Sequence, residues 1–98
     1  MDFIPFVKLQ NKQYNNNDLI NAVREDIIGE LDAINQYNSH IASTDNELAR
    51  RVWTSIRDEE RVHVGELLAL LQHLSPDELS KLNEGRDEVR EIMREIGI

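Results

Sequence analysis

Glu30, Glu60 and His63 are the residues of this 98-residue sequence best placed to do chemistry together. Each interrupts an apolar helical stripe. Glu30 falls within Val23, Ile27, Glu30, Ile34, Tyr37 and Ile41, which step by four, three, four, three and four and so share one helix face. Val52, Ile56, Glu60, His63, Leu67 and Leu70 form a second stripe, in which Glu60 and His63 are three apart and adjacent on the helix surface. An unpaired carboxylate in an apolar seam costs several kcal/mol unless something neutralises it. Two carboxylates and one imidazole neutralise one another only in part. A divalent metal satisfies all three, and this mixture of oxygen and nitrogen donors suits iron, manganese or zinc.

The helices that must position these residues have readable limits. The first is expected to start near Asn17, with Asn17 as its N-cap and Asp18 at the positive helix end, and to stop near Ser43. Thr44 to Glu47 reads as a capping box that opens the second helix, which runs to about His73. Ser75-Pro76-Asp77-Glu78 opens a third, with Ser75 as cap and Pro76 at the first helical position. Gly85 inside it marks a possible bend, and Gly97 ends it. The expected fold is all-α: an antiparallel two-helix hairpin plus a shorter C-terminal helix, over residues 17–98, preceded by an arm or linker, 1–16, that carries the apolar cluster Phe3 to Val7. Glu30 lies fifteen positions before residue 45 and Glu60 fifteen after it. In an antiparallel hairpin that places both about 20 Å from the turn, at the same height.

One hairpin supplies half of a known arrangement. Helical-bundle di-iron sites take a Glu from each of two helices and a Glu-x-x-His from each of two others. This chain has one Glu30 and one Glu60-Arg61-Val62-His63, so two chains are needed for four Glu and two His, in a four-helix bundle completed by dimerisation.

Composition narrows the alternatives. The formal charge of −8 repels phosphate, which argues against nucleic-acid binding, and favours cations near the surface. With no cysteine, thiolate-held zinc, Cys-ligated iron–sulfur clusters and thiol nucleophiles are excluded. No apolar run approaches a membrane span, and the start Met1 to Val7 lacks the basic flank of a secretory signal, so the expected compartment is the cytoplasm. Other polar and aromatic residues have plainer readings. Glu59, His40 and His73 are expected at the surface, and Trp53 in a core or interface. Asp26 and Asp32, flanking Glu30, read as ordinary surface acids or as guides for an incoming metal. Tyr37 reads equally as a half-buried core residue or as a partner of a ligand.

The segment Glu30-Leu31-Asp32-Ala33-Ile34-Asn35-Gln36-Tyr37 and, thirty positions on, Asp58-Glu59-Glu60-Arg61-Val62-His63-Val64-Gly65-Glu66 resemble the encapsulated ferritin family, a half-size branch of the ferritin-like superfamily. With the capped turn and the segment after Leu74, the resemblance covers roughly residues 18–95. It implies a ferroxidase centre of two irons at each dimer interface, held by Glu30, Glu60 and His63, with Tyr37 near it and Asp32 at a metal-access position. It implies oxidation of Fe(II) to Fe(III) by oxygen, dimers assembled into a ring, and residence inside an encapsulin shell where iron is stored. Gly29 stands where some members carry a second access-site acid. The ending Arg94-Glu95-Ile96-Gly97-Ile98 does not look like the family's cargo peptide, and the chain is similar to the branch in which the ferritin-like domain is joined to the shell protein. Three rivals use the same residues. A rubrerythrin-like peroxidase usually adds a Cys-ligated iron domain. An oxygen-activating hydroxylase needs an apolar substrate pocket. A non-catalytic dimeric helical protein would hold a structural metal such as redox-silent zinc.

Overall fold

The computed structural model describes residues 13–98. The cluster Phe3 to Val7 and most of the expected arm lie outside the described residues. Three helices follow in order, α1 (Asn16–Ala42), α2 (Glu47–Leu74) and α3 (Pro76–Glu95), with no strand among the described residues. α1 and α2 pack along their length as an antiparallel hairpin, and α3 touches only α2 closely.

The helix ends follow local chemistry, with small corrections to the sequence reading. α1 is capped by Asn15 rather than Asn17: its side chain accepts the Asp18 N–H at 2.9 Å, and the Asp18 carboxylate accepts the Asn15 N–H at 3.1 Å. Of the three consecutive asparagines at 15–17, the one with an acid three positions on closes a reciprocal box. α2 is capped by Asn46, whose side chain accepts the Ala49 N–H at 2.9 Å. Thr44 instead accepts the N–H of Asn46 at 3.2 Å and shapes the turn. Arg50 ties that turn down by donating to the carbonyls of Ile41 and Thr44, both at 3.0 Å. Ser75 ends α2 and begins α3 at once, and its hydroxyl makes no capping bond. α3 runs unbroken through Gly85. It closes with Gly97 at φ 80°, where the N–H groups of Gly97 and Ile98 reach the carbonyls of Arg94 and Met93. That left-handed position suits glycine because a Cβ there would crowd the backbone.

With a single residue between α2 and α3, the third helix does not fold back along the hairpin. The Cα trace measures 58 × 46 × 15 Å, with a radius of gyration of 18.4 Å. A compact chain of this length would have about 13 Å. The thickness is that of a single layer of helices. An Arg24–Glu78 ion pair ties the base of α3 to α1. Among the described residues only Val23 and Leu71 are buried, at 5% and 4% exposure. Domains normally bury their apolar faces between two layers. Here Leu19, Val52, Leu70, Leu79, Val89, Ile92 and others stay exposed.

The seam on α2 is turned by one residue from the expected stripe. Trp53, Ile56, Glu60, Val64, Leu67 and Leu71 face α1, whereas Val52, His63 and Leu70 lie at the open edge. The apolar stripe is wider than a two-helix contact covers, so its outer edge is left uncovered.

The two candidate caps of α2 are separable by mutation. Asn46→Ala is expected to cost ~1 kcal/mol in urea unfolding at fixed protein concentration. Thr44→Ala should cost less than half as much, and the reverse order would return the cap to Thr44.

Candidate metal centre

Glu30 and Glu60 are brought to one height by the equal arms of the hairpin, and each points into the seam because it occupies an apolar position of its helix. Both are mostly covered, with side-chain exposures of 24% and 18%, whereas His63 is 46% exposed. The His63 Nδ1 lies 3.5 Å from Glu30 Oε2 and 3.8 Å from Glu60 Oε1. One donor atom from each of the three lies within 4.8 Å of the others. Two ligands about 2.1 Å from one cation are at most about 4.2 Å apart. The His63 nitrogen and either carboxylate are thus already within the bite of a single ion.

The electrostatics point the same way. Glu30 Oε2 is buried without a hydrogen-bond partner. The Glu60 carboxyl is held above its usual range. The largest cause is a proton shared with Glu30. Withdrawal from water and the Glu30 charge add to it, Glu59 contributes slightly, and His63 opposes. A cation placed between the two carboxylates would offset the repulsion between them. The donor set therefore fits a divalent metal.

The site opens on a groove of about 620 Å³, lined by Glu25, Asp26, Gly29, Glu30, His63, Glu66 and Leu67. Its acids concentrate cations at the mouth. Asp26 is on this groove. Asp32 is exposed and is not among the lining residues. Glu25 and Glu66 were not singled out from the sequence. Glu66 is three positions after His63, the spacing that puts it on the same face. Gly29 has open space where a Cβ would stand.

Tyr37 is half-buried in the seam, with no hydrogen bond to Glu30, Glu60 or His63 among the described residues. His40 is not the surface residue expected. It is half-buried, its ring 4.9 Å from that of Trp53 and 6.3 Å from that of Tyr37. Glu59 and His73 are exposed, as expected. Across the other side of the seam, Arg57 donates to Asn38 at 2.9 Å and locks the helix register.

The Glu60 environment has a signed consequence for the metal-free protein. A carboxyl whose folded pKa is raised contributes its stability below the unfolded pKa, and that contribution is lost as pH rises through the folded value. Gln mimics the protonated form. Glu60→Gln should therefore leave the melting temperature unchanged in acid and raise it above the carboxylate range, measured by circular dichroism with chelator present. An equal or lower melting temperature at neutral pH would contradict the proximity of the two carboxylates.

No protein-family model matches the chain. Two curated relatives do. A ferritin-like-encapsulin shell fusion protein of Pyrococcus furiosus is 37% identical over 83 residues, which is 85% of this chain and 24% of that protein. The encapsulin nanocompartment cargo protein EncC of Myxococcus xanthus is 35% identical over 86 residues, 88% of this chain and 66% of that protein. The chain thus spans about a quarter of the first relative and just under two thirds of the second. The crystal structure of the encapsulated ferritin domain from Pyrococcus furiosus superposes with a TM-score of 0.79 at 38% identity, covering 83% of each chain. Sequence and fold agree over more than four fifths of the chain, and the chain belongs to the encapsulated ferritin family.

Proposed function

We propose that this protein is a ferroxidase, oxidising Fe(II) to Fe(III) with oxygen at a di-iron centre formed between two copies of the chain. The observation that carries the reading is the position of His63. It completes a three-donor cluster yet sits at the uncovered edge of the hairpin, with exposed Val52 and Leu70 on the same helix face. A second copy related by a two-fold axis would present the same face, covering the apolar edge and bringing a second set of donors. Four Glu and two His would then hold two irons. Iron supplies the redox chemistry: two Fe(II) give one electron each to oxygen, which leaves as hydrogen peroxide after taking two protons. The chain's residues bind and orient. Glu30 and Glu60 are close enough to share ions between them, His63 fixes one coordination position, and the acids of the groove draw cations inward.

The exposed apolar side of α3 supports a further level of assembly. Leu79, Leu82, Val89, Met93 and Ile96 fall on one stripe, and no residue of α3 is buried. Joining dimers into a ring through α3 would cover that stripe. Both curated relatives are encapsulin-associated by name. We place this protein likewise inside an encapsulin shell, which would store the Fe(III) product. No helix among the described residues is long and apolar enough to cross a membrane.

The test combines Fe(II) oxidation in air with sedimentation on the same samples. Wild-type protein should oxidise Fe(II) at least tenfold faster than buffer, as a dimer or larger. Glu30→Ala, Glu60→Ala and His63→Ala should each fall to the buffer rate. A metal-loaded protein that stays monomeric, or oxidation no faster than buffer, would sink the reading in favour of a structural metal or a buried polar network.

A further inference from the structure

α3 carries a pattern that its own chain leaves unused. Leu79, Leu82, Arg86, Val89, Met93 and Ile96 step by three, four, three, four and three, the heptad spacing of a helix that packs along another helix. The stripe is about 26 Å long. Within α3 only Glu78 and Leu82 are half-buried, and the rest of the helix is exposed. Glu78 bonds Arg24 of α1, and Leu82 is one turn further along the same side. The stripe therefore starts on the inner side of the corner between α3 and the hairpin and runs outward from there uncovered.

Gly85 adds a second, independent observation. It stands in the interior of α3, where glycine lowers helix stability relative to alanine. It makes no break in the helix and has no positive φ. A Cβ there would meet nothing within 4 Å. No contact inside the chain therefore calls for the missing side chain. Gly85 opens on a groove of about 540 Å³, lined also by Leu82 and Val89 and by the cations Lys81, Arg86 and Arg90. Seven positions on, along the same edge of the stripe, Ile92 is 54% exposed. That edge carries a notch and, one heptad later, a knob.

We propose that α3 pairs antiparallel with α3 of a second copy, with Ile92 of each chain filling the Gly85 notch of the other. The pairing deepens the assembly through α3 put forward above and does not depend on iron. A two-fold axis near residue 88 sets Leu79 opposite the partner's Ile96, Leu82 opposite the partner's Met93 and Arg86 opposite the partner's Val89. One register thus covers the whole stripe. The same register brings Gly85 to the partner's Ile92. At the rim it brings Lys81 near the partner's Glu95 and Arg86 near the partner's Asp87, so the charges are complementary. Symmetry makes each contact twice.

Two features disfavour parallel pairing. Parallel helices set like positions together, which would press Arg86 against the partner's Arg86 in the seam. The stripe also begins inside the corner, so a two-fold axis along α3 would drive one hairpin into the other. Antiparallel pairing sends the two hairpins to opposite ends of the helix pair.

The sequence holds no cysteine, so introduced thiols report on α3 alone. In metal-free protein under mild oxidation, the double variant Leu82→Cys/Met93→Cys should form a covalent dimer. Each single variant should form at least tenfold less, because a thiol at 82 or 93 would lie about 16 Å along the axis from its own counterpart, beyond the span of a disulfide. Helical circular dichroism establishes that each variant is folded. Crosslinking by the single variants would show parallel pairing and overturn the proposal, as would a failure of all three to crosslink. Gly85→Ala should act with opposite signs at two levels. It should raise the melting temperature of the dissociated chain and weaken association through α3 at least tenfold in sedimentation against concentration. Unchanged association would overturn the notch.

Ile92→Arg separates this contact from pairing through the metal-ligating face. It should sediment no larger than a dimer while oxidising Fe(II) within twofold of wild type, and a larger assembly of this variant would overturn the proposal. Failure of wild-type protein to oxidise Fe(II) would remove the ferroxidase reading alone, because the crosslinking pattern decides the α3 contact without iron.

Discussion

The carboxylates of Glu30 and Glu60 face one another across a two-helix seam, and among the described residues the one basic side chain within ion-pair distance of both is the His63 imidazole. Most of what is unusual in the structure follows from this juxtaposition. It breaks the apolar stripe of both helices at mid-height, where a hairpin would otherwise place its best packing. It leaves one carboxylate oxygen buried without a partner and raises the proton affinity of the other group. Such an arrangement persists only if the surrounding helices fix it. The capped ends of α1 and α2, the Arg50 clamp on the turn and the Arg57–Asn38 bond all serve to set the register. A one-turn slip of either helix would separate Glu30 from Glu60 by about 5 Å along the axis.

The heart of this site was legible because it depends on counting. Equal arms about residue 45 and a three-residue spacing are enough to bring Glu30, Glu60 and His63 together in any antiparallel hairpin. What was less legible depends on which of several equivalent groups wins. Three consecutive asparagines, at 15–17, stand at the start of α1, and only the closed hydrogen-bond pair with Asp18 selects Asn15. Thr44 and Asn46 both suit a cap, and Arg50, reaching across the turn to two carbonyls, favours a helix that starts later. The α2 stripe was offset by one residue because a stripe wide enough for two contacts gives no sign of which edge faces α1. His40 follows Asn38 and Ser39 close to the end of α1, where a histidine reads as surface. Its burial comes from Trp53, thirteen positions away and on the other helix. Nor does local pattern reveal that α3 projects, because its stripe would look the same if it were covered by α2.

α3 also shows why the short connection matters more than helix propensity. A single residue, Ser75, lies between α2 and α3, and Pro76 cannot donate a backbone hydrogen bond across the junction. The chain therefore turns a corner. A longer loop would have allowed α3 to fold back and cover the hairpin's exposed edge, including the groove beside His63. The corner keeps that face open while leaving the α3 stripe free for separate contacts.

Two deficits thus fall on the same surface. The hairpin lacks a second layer for its apolar edge, and the three-donor cluster would be half of the di-metal set proposed above. In the dimer we propose, one association remedies both, and the two events are thermodynamically linked. A metal that binds only the paired form stabilises pairing, and pairing raises metal affinity by the same factor. The like-charge contact at Glu30 and Glu60 sharpens this linkage. It makes the metal-free seam costly as the carboxylates ionise, so bound cations relieve a repulsion as well as adding ligand bonds. A chain with a complete apolar core and a neutral seam would be more stable alone and would have less reason to assemble around iron. In that dimer the incomplete core and the charged seam would be parts of one device, in which stability is held back until metal and partner are both present.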